Sequence, residues 1–529
     1  MNAYKGKILQ ELSRFKAGLL GDTILRNSFL YADREAFIYG NKRVTFKQYN
    51  ERVNSLIAAL NDRGIRKGDA IGVVSFNCIE YSEVFGAAGK GGFILAPLNT
   101  RSSAKELEYL IQDCGTRVLF VDPDMVDIIN SLRPNIPQVK HFISFEKAIP
   151  DMEYHDNLIA KYAPSEPDVE LDDDTPALLL YTSGTTGVPK GALYTQGQIR
   201  EDILGHCIDI PAQPEDKGLL IMPYFHIGGT IWHYTFFQRA ACNVIMKNFD
   251  PRMTLQIIEQ EKITCVCVVP THIAAILAVP ELKNFNTKSL RLVKYVGSPM
   301  PVQILKQAIA QWGLIFCQAY GQTETGPDIT ALREIDHDVI NKSSKEQERL
   351  LSCGRSGTNI QVRIVDDNDQ DVGVGEIGEI IVKSRHIMRE YWKKPKETQA
   401  TIINGWLHTR DMGRYDEEGY IYIVDRKNDM IISGGENIYP REVEETLYQH
   451  PSVLECAVFG IPDPKWVESV HAVVALKQGK VAKPQELIDF CKQNIARYKA
   501  PKSVEIVDSL PKGGSGKILK KELRKKYWQ

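Results

Sequence analysis

The stretch Tyr181–Gly191, YTSGTTGVPKG, holds three glycines, a proline, a lysine and, before Gly187, five hydroxyl side chains with Tyr181 counted. Backbone N–H groups free of bulky side chains, joined by small hydroxyl donors, are the groups that wrap a polyphosphate. Lys190 adds a point charge for the outer phosphates. A Walker A loop needs G-x-x-x-x-G-K-[ST] opening into a helix. Here Lys190 is followed by Gly191 and a short apolar run, Ala192–Tyr194, and another apolar run, Ala177–Leu180, precedes the loop. The pattern is strand, loop, strand, and no hydroxyl follows the lysine. Taken alone, the same composition also makes a flexible surface hairpin, so the rest of the chain has to decide.

The elements that would position such a loop alternate. Ala36–Tyr39 reads as a strand with Arg43–Thr45 as its hairpin partner, Thr45 caps a helix running to Arg63, and Ala70–Ser75, Phe93–Ala96 and Val118–Val121 are strands separated by helices. Repeated strand–helix alternation predicts a parallel, doubly wound α/β sheet. Residues 123–172, rich in Pro, Asp and Glu, read as surface structure. Further strand–helix rounds follow the loop, and two of them end in PYFHIGG (Pro223–Gly229) and YGQTET (Tyr320–Thr325). The charged run NKSSKEQERL, 341–350, reads as a solvated face or loop. Short strands over Val362–Val382, bounded by glycines, predict an antiparallel, barrel-like subdomain, and a small α+β unit begins near Asp425.

At 529 residues the chain exceeds one core of ordinary size. A net charge of −2 gives no reason to expect nucleic acid as a partner. Ten scattered cysteines without a C-x-x-C pair fit a reducing, cytoplasmic compartment, and Cys265 and Cys267 share a face of one strand, as core residues do. The N-terminus lacks the apolar region of a secretory signal, and no run approaches the ~18 apolar residues of a membrane span.

By Thr325 the motifs resemble those of an acyl-CoA synthetase (AMP-forming) of the adenylate-forming superfamily, whose members include nonribosomal adenylation domains and luciferase. The match runs from about residue 30 to Arg524 and takes in YTSGTTGVPKG, PYFHIGG, VGSP, YGQTET, GWLHTRDMG, SGGENIYP and GGSGKI. The fold implied is α/β: a large N-terminal domain of doubly wound sheets with a small β-barrel-like subdomain (1–424), and a small mobile α+β C-terminal lid (425–529). The reaction implied has two halves. A carboxylate attacks the α-phosphate of ATP, giving acyl-AMP and pyrophosphate; the CoA thiol then attacks the acyl carbon and AMP leaves.

Site roles follow from the resemblance. Thr182, Ser183, Gly184, Thr185, Thr186, Gly187 and Lys190 would hold the ATP phosphates. Glu324 would ligate Mg²⁺, a hard carboxylate for a hard cation, with Thr323 at the α-phosphate. Gly297, Ser298, Pro299, Ala319 and Tyr320 would wall the adenine, and Asp411 and Arg426 would bind the ribose. Lys517 would be the mobile cation delivered between the carboxylate and the α-phosphate, stabilising charge that develops in the transition state. Ser433, Gly434, Gly435 and Glu436 would face CoA, with the lid hinge at Asn428. His226 would sit beside the substrate carboxylate, with Gly228, Trp232, Val296, Ala319 and Gly321 lining the acyl pocket and Asp328 either near its floor or facing solvent. Acetyl-specific relatives tend to have Trp in place of Gly321, so the acid expected is medium-chain fatty or aromatic. The chain departs from the family pattern at Arg410 and Val467, where Gly is usual, at Asn428, where Asp or Lys is usual, and near Gly513 and Gly514. Partners implied are the acid, ATP and CoA, with a homodimer as the candidate assembly. Alternatives are an enzyme that loads a carrier-protein thiol and a non-catalytic nucleotide or acyl-CoA sensor.

Overall fold

The computed structural model describes residues 18–182, 188–339, 342–426, 429–433, 436–513 and 516–528. Two large sheets carry most of the chain. The nine-stranded one runs, across the sheet, Arg355–Ser356, Gly326–Leu332, Phe316–Gln322, Leu292–Val296, Cys265–Val268, Lys217–Leu220, Cys242–Ile245, Glu35–Tyr39 and Lys42–Thr45. Its centre is parallel and both edges are antiparallel. The eight-stranded one is built on parallel Ala70–Val74, Ile94–Leu98 and Val118–Val121, with antiparallel Lys190–Thr195 and Glu390–Tyr391 at one edge. The doubly wound expectation is met.

Local sequence explains the elements. Thr45 accepts from the Gln48 N–H and Gln48 returns a bond to the Thr45 N–H, a capping box that starts the helix Phe46–Asp62. Every residue of the helix Ile79–Gly91 is buried. Its small residues let neighbours approach: a Cβ on Gly86 would fall 2.6 Å from the Tyr49 hydroxyl oxygen and from Val53. Cys265 and Cys267 are core residues, as their spacing predicts.

Two stretches differ from expectation. Residues 123–172 hold a further α/β round, with the helix Val126–Leu132 and strands His141–Ser144 and Glu153–Tyr154 extending the eight-stranded sheet. The surface-like composition belongs to the end of the sheet, where Glu153–Tyr154 is the outermost strand and both its residues are half-buried. The charged run over 341–350 contains the helix Ser344–Glu348, capped by Ser343, and it buries Leu350.

A five-stranded antiparallel sheet follows, from Gln361–Val365 to Ile421–Arg426. Beyond it, Glu436–Ile438, Ile431–Ser433, Val467–Leu476 and Val453–Asp463 form a last sheet, with Ser503–Val507 parallel to Val467–Leu476. The helices Pro440–Tyr448 and Pro484–Asn494 cover it around a separate core that includes Val443, Leu447, Val458, Val474 and Leu487. Among the described residues no helix is long and apolar enough to cross a membrane.

Candidate active site

The loop of the YTSGTTGVPKG motif leaves the sheet between two antiparallel strands, Pro176–Thr182 and Lys190–Thr195, with Thr182 opposite Lys190. Ser183, Gly184, Thr185, Thr186 and Gly187 lie outside the described residues. The feet of the loop are anchored: the Tyr181 hydroxyl donates to Asp113 Oδ2 at 2.7 Å and the Tyr109 hydroxyl to the Pro189 carbonyl at 3.2 Å. Lys190 Nζ stands 4.3 Å from the centre of the Tyr391 ring. The Tyr391 hydroxyl in turn donates to Glu324 Oε1 at 2.8 Å. Strand pairing of Glu390–Tyr391 with the strand of Lys190 brings this ring in. Burial, then the Glu324 charge, hold the Tyr391 hydroxyl far above its ordinary pKa, so it remains a donor. Tyr194 donates its hydroxyl to the Thr323 carbonyl and accepts from the Gly326 N–H, fixing the turn that presents Thr323 and Glu324. No group of three or more His, Cys, Asp or Glu that could hold a metal occurs among the described residues. A single carboxylate at Glu324 fits Mg²⁺, which keeps several waters and is usually held by one or two carboxylates together with substrate phosphates.

The nucleoside side is a small hydrogen-bonded unit. Asp411 is buried, and its Oδ2 accepts from the Tyr320 hydroxyl and from Gln322 Nε2, both at 2.6 Å. Asp411 stands opposite Arg426 in the pair of strands Trp406–Tyr415 and Ile421–Arg426; the Arg426 side chain is outside the described residues. Burial first, then Asp411, push the Tyr320 hydroxyl well above its ordinary pKa. Gly297, Ser298 and Pro299 follow the strand Leu292–Val296, which pairs with the strand of Ala319 and Tyr320. The backbone at Arg410 is left-handed, with φ of +61°, which accounts for glycine being usual there.

Lys517 reaches this site from the C-terminal unit. A Cβ on Gly297 would lie 3.0 Å from Lys517 Cε and 3.7 Å from Nζ, so the end of the lysine packs against the Gly297 backbone. The loop carrying it is docked: Arg101 Nη1 donates to the Gly513 carbonyl at 2.7 Å and Thr271 Oγ1 to the Gly516 carbonyl at 3.3 Å. Arg441 Nη2 donates to the Leu351 carbonyl at 3.0 Å. Tyr194, Tyr391, Arg101 and Thr271 were not singled out by sequence reasoning, since none lies in a motif. Gln322 was within reach, inside YGQTET.

His226 starts the helix Ile227–Gln238. Burial, then the charges of Lys517 and Arg101, lower its pKa to about 3, so the ring is neutral. Its Nε2 is shut from solvent and has no hydrogen-bond partner among the described residues. A Cβ on Gly228 would meet nothing within 4 Å, so the space beside it is open. Val296, Ala319 and Trp232 are buried nearby on the strands and on this helix. At Gly321 a Cβ would fall 2.2 Å from the Gly326 carbonyl oxygen, so the backbone bulge of this chain leaves no room for a side chain there. Asp328 does not face solvent: it is 6 % exposed and paired with buried Lys294.

In the C-terminal unit, Ser433 pairs with Val467. Asn428, Gly434, Gly435 and the side chain of Glu436 lie outside the described residues. Val467 has φ of +71°.

Residues 26–392 match the model of the AMP-binding enzyme family and residues 442–517 match that of the AMP-binding enzyme C-terminal domain. The chain belongs to the AMP-binding enzyme family. A feruloyl-CoA synthase of Amycolatopsis sp is 34 % identical over 510 residues, covering 96 % of this chain and 99 % of that protein. The fatty acid–[acyl-carrier-protein] ligase ScoC of Streptomyces coeruleorubidus is 32 % identical over 515 residues, covering 96 % of each. The solved anthranilate CoA ligase AuaEII in complex with anthranoyl-AMP superposes with a TM-score of 0.89 at 26 % identity, covering 97 % of this chain and 98 % of that one. The protein is an AMP-forming acid–CoA ligase that works through an acyl-adenylate, with ATP, Mg²⁺ and CoA.

Proposed function

We propose that this ligase activates a medium-chain fatty or aromatic acid and that Lys517 is the group that makes adenylation fast. In this reading the substrate carboxylate lies between His226 and Gly297. Its oxygen attacks the α-phosphorus of ATP, the bond to the β-phosphate breaks, and pyrophosphate leaves. The Lys517 ammonium stabilises the negative charge shared between the attacking carboxylate and the phosphoryl oxygens, a charge larger in the transition state than in the ground state. Neutral His226 offers its Nε2 side to the carboxylate without adding a competing cation. Asp411, held by Tyr320 and Gln322, fixes the ribose, and Thr182, Lys190 and Thr323 hold the phosphates. Mg²⁺, with Glu324 as its protein ligand, would supply charge neutralisation between the two anions. Lid rotation about Asn428 would then bring the Ser433–Glu436 stretch to the acyl-adenylate for attack by the CoA thiolate.

The approach of Lys517 Cε to the Gly297 backbone, beside His226, carries this reading. Gly228 supports an acid longer than acetate, because open space lies beside it. Carrier-protein loading is a second reading, favoured by the likeness to ScoC. A cytoplasmic setting is supported by ten free cysteines. Lys517→Ala is expected to slow pyrophosphate release by roughly 10²–10³ while still converting supplied acyl-AMP to acyl-CoA. Equal loss of both half-reactions removes the role assigned to Lys517. A screen of fatty and aromatic acids with CoA, or with a phosphopantetheinylated carrier protein in its place, separates the two thiol acceptors.

A further inference from the structure

The strand Ile421–Arg426 pairs on one side with Trp406–Tyr415. Along its other side lies the segment that leads into Arg355–Ser356. There the Cys353 N–H donates to the Ile421 carbonyl and the Ile421 N–H to the Gly354 carbonyl, both at 2.8 Å. An antiparallel ladder continued in this register would set Ile423, two residues on, against Leu351, two residues back. The ladder stops short of that rung. Arg349–Leu351 is a turn of 3₁₀ helix, and the Ser352 N–H donates back to the Arg349 carbonyl at 2.9 Å, so the two segments part.

A side chain from the C-terminal unit takes the place of the missing rung. Arg441 Nη1 donates to the Ile423 carbonyl at 2.5 Å and Nη2 to the Leu351 carbonyl at 3.0 Å. Arg441 is the second residue of the helix Pro440–Tyr448, whose Val443 and Leu447 belong to the separate core of that unit. Its helix neighbours Glu442 and Glu444 pair inside the same unit, with Lys499 and Lys520, both at 2.7 Å. Arg441 instead reaches across, and it is half-buried, as are Leu351 and Ile423. Partly buried carbonyls need donors. A guanidinium suits two converging acceptors, because it is always charged and its donors are fixed in one plane.

The C-terminal unit is thus tied to the rest of the chain at two separate places. Arg101 and Thr271 hold the loop of Gly513 and Gly516, next to Lys517. Arg441 holds the other end, where Ile423 precedes Asn428 in the chain and Arg441 follows it. These two ties act in the arrangement that lays Lys517 against Gly297. Turning the unit about Asn428 would leave Ile423 and Leu351 behind and withdraw the guanidinium from between them. A contact made in one of two arrangements favours that arrangement by its own free energy and disfavours the other by as much.

Resting on the ligase reading above, we propose that Arg441 is a positioning residue for adenylation: its guanidinium closes the interrupted ladder between Ile423 and Leu351 while Lys517 is at Gly297, and is withdrawn when the C-terminal unit turns for thioester formation. The test uses single turnovers of the full-length enzyme with Mg²⁺. One arm follows pyrophosphate release from ATP with octanoate and with cinnamate; the other follows conversion of supplied octanoyl-AMP and cinnamoyl-AMP by CoA. Arg441→Ala is expected to slow the first arm roughly tenfold, the loss of charged hydrogen bonds that hold one arrangement. The second arm is expected to be unchanged or faster, so the ratio of the two rates falls by about fivefold or more. A general loss of packing lowers both rates together and leaves that ratio where it was. Arg441→Met keeps most of the apolar stem and removes both donors; the same shift is expected of it, and it carries the test if the alanine variant does not fold. A smaller fall in the ratio, or matched losses in the two arms, overturns the proposal and leaves the ligase reading standing. Turnover of neither acid by the wild type overturns that reading and this proposal with it.

Discussion

At the scale of single residues, the departures from the family pattern turn out to be conformational. Arg410 and Val467 stand where glycine is usual, and both have positive φ. For a β-branched residue this is a genuine outlier, and the left-handed region costs an L-residue roughly 1–2 kcal/mol. Part of that is offset because valine has less freedom to lose on folding than glycine. Val467→Gly is therefore expected to stabilise the lid by about 1 kcal/mol net, read as slower amide exchange along Val467–Leu476. Unchanged exchange there means that the backbone at 467 carries no strain. The sequence showed that glycine was missing at 410 and 467, but not why glycine would be needed. That reason is a dihedral angle, set by strand pairing with distant partners.

At the scale of elements, the active site is a meeting of segments that were legible one by one. The strand–loop–strand of YTSGTTGVPKG, the capped helix after Thr45 and the strand leading into YGQTET all follow from local periodicity and capping. The docking of the C-terminal loop does not. Arg101 lies after the strand Ile94–Leu98, in a stretch with no motif, and only the assembled fold shows it donating to the Gly513 carbonyl. A hydrogen bond from a charged donor contributes about 1.5–3 kcal/mol. Arg101→Ala is accordingly expected to slow adenylation by roughly ten- to a hundredfold, with the conversion of supplied acyl-AMP to acyl-CoA little affected. Single-turnover measurements of the two half-reactions check this, and a matched loss in both would mean that Arg101 does not hold the Gly513 loop for the first half alone.

At the scale of the whole molecule, histidines are a shared acid-sensitive element. Burial lowers the pKa of His233 and His272 to about 3, that of His337 and His386 to about 4, and that of His206 well below the ordinary value. The sign follows directly. Between the depressed folded values and the ordinary 6.5, the unfolded chain binds protons that the folded chain does not, so stability rises with pH across that window. It is fully present above pH 6.5 and is lost as pH falls toward 4 and then 3. Each histidine contributes up to about 1.4 kcal/mol per pH unit there. The melting temperature is expected to hold level from pH 7 to 8 and to drop steeply between pH 6 and 4, as circular dichroism melts would show; a level profile down to pH 4 contradicts it.

The sequence by itself determined the fold class and the family, because short motifs carry their own backbone geometry and hydrophobic periodicity carries the elements. It left Asp328 between a pocket floor and the solvent, and it gave no hint of Lys294 or His206, since a lone charged residue within a strand or helix has no local signal. Only the tertiary structure decided that Tyr391 joins Lys190 to Glu324, that Lys517 lies against Gly297, and that Asp328 is buried against Lys294 and His206. Those contacts join residues far apart in the chain, and their energies depend on burial, which exists only once the sheets and helices have packed.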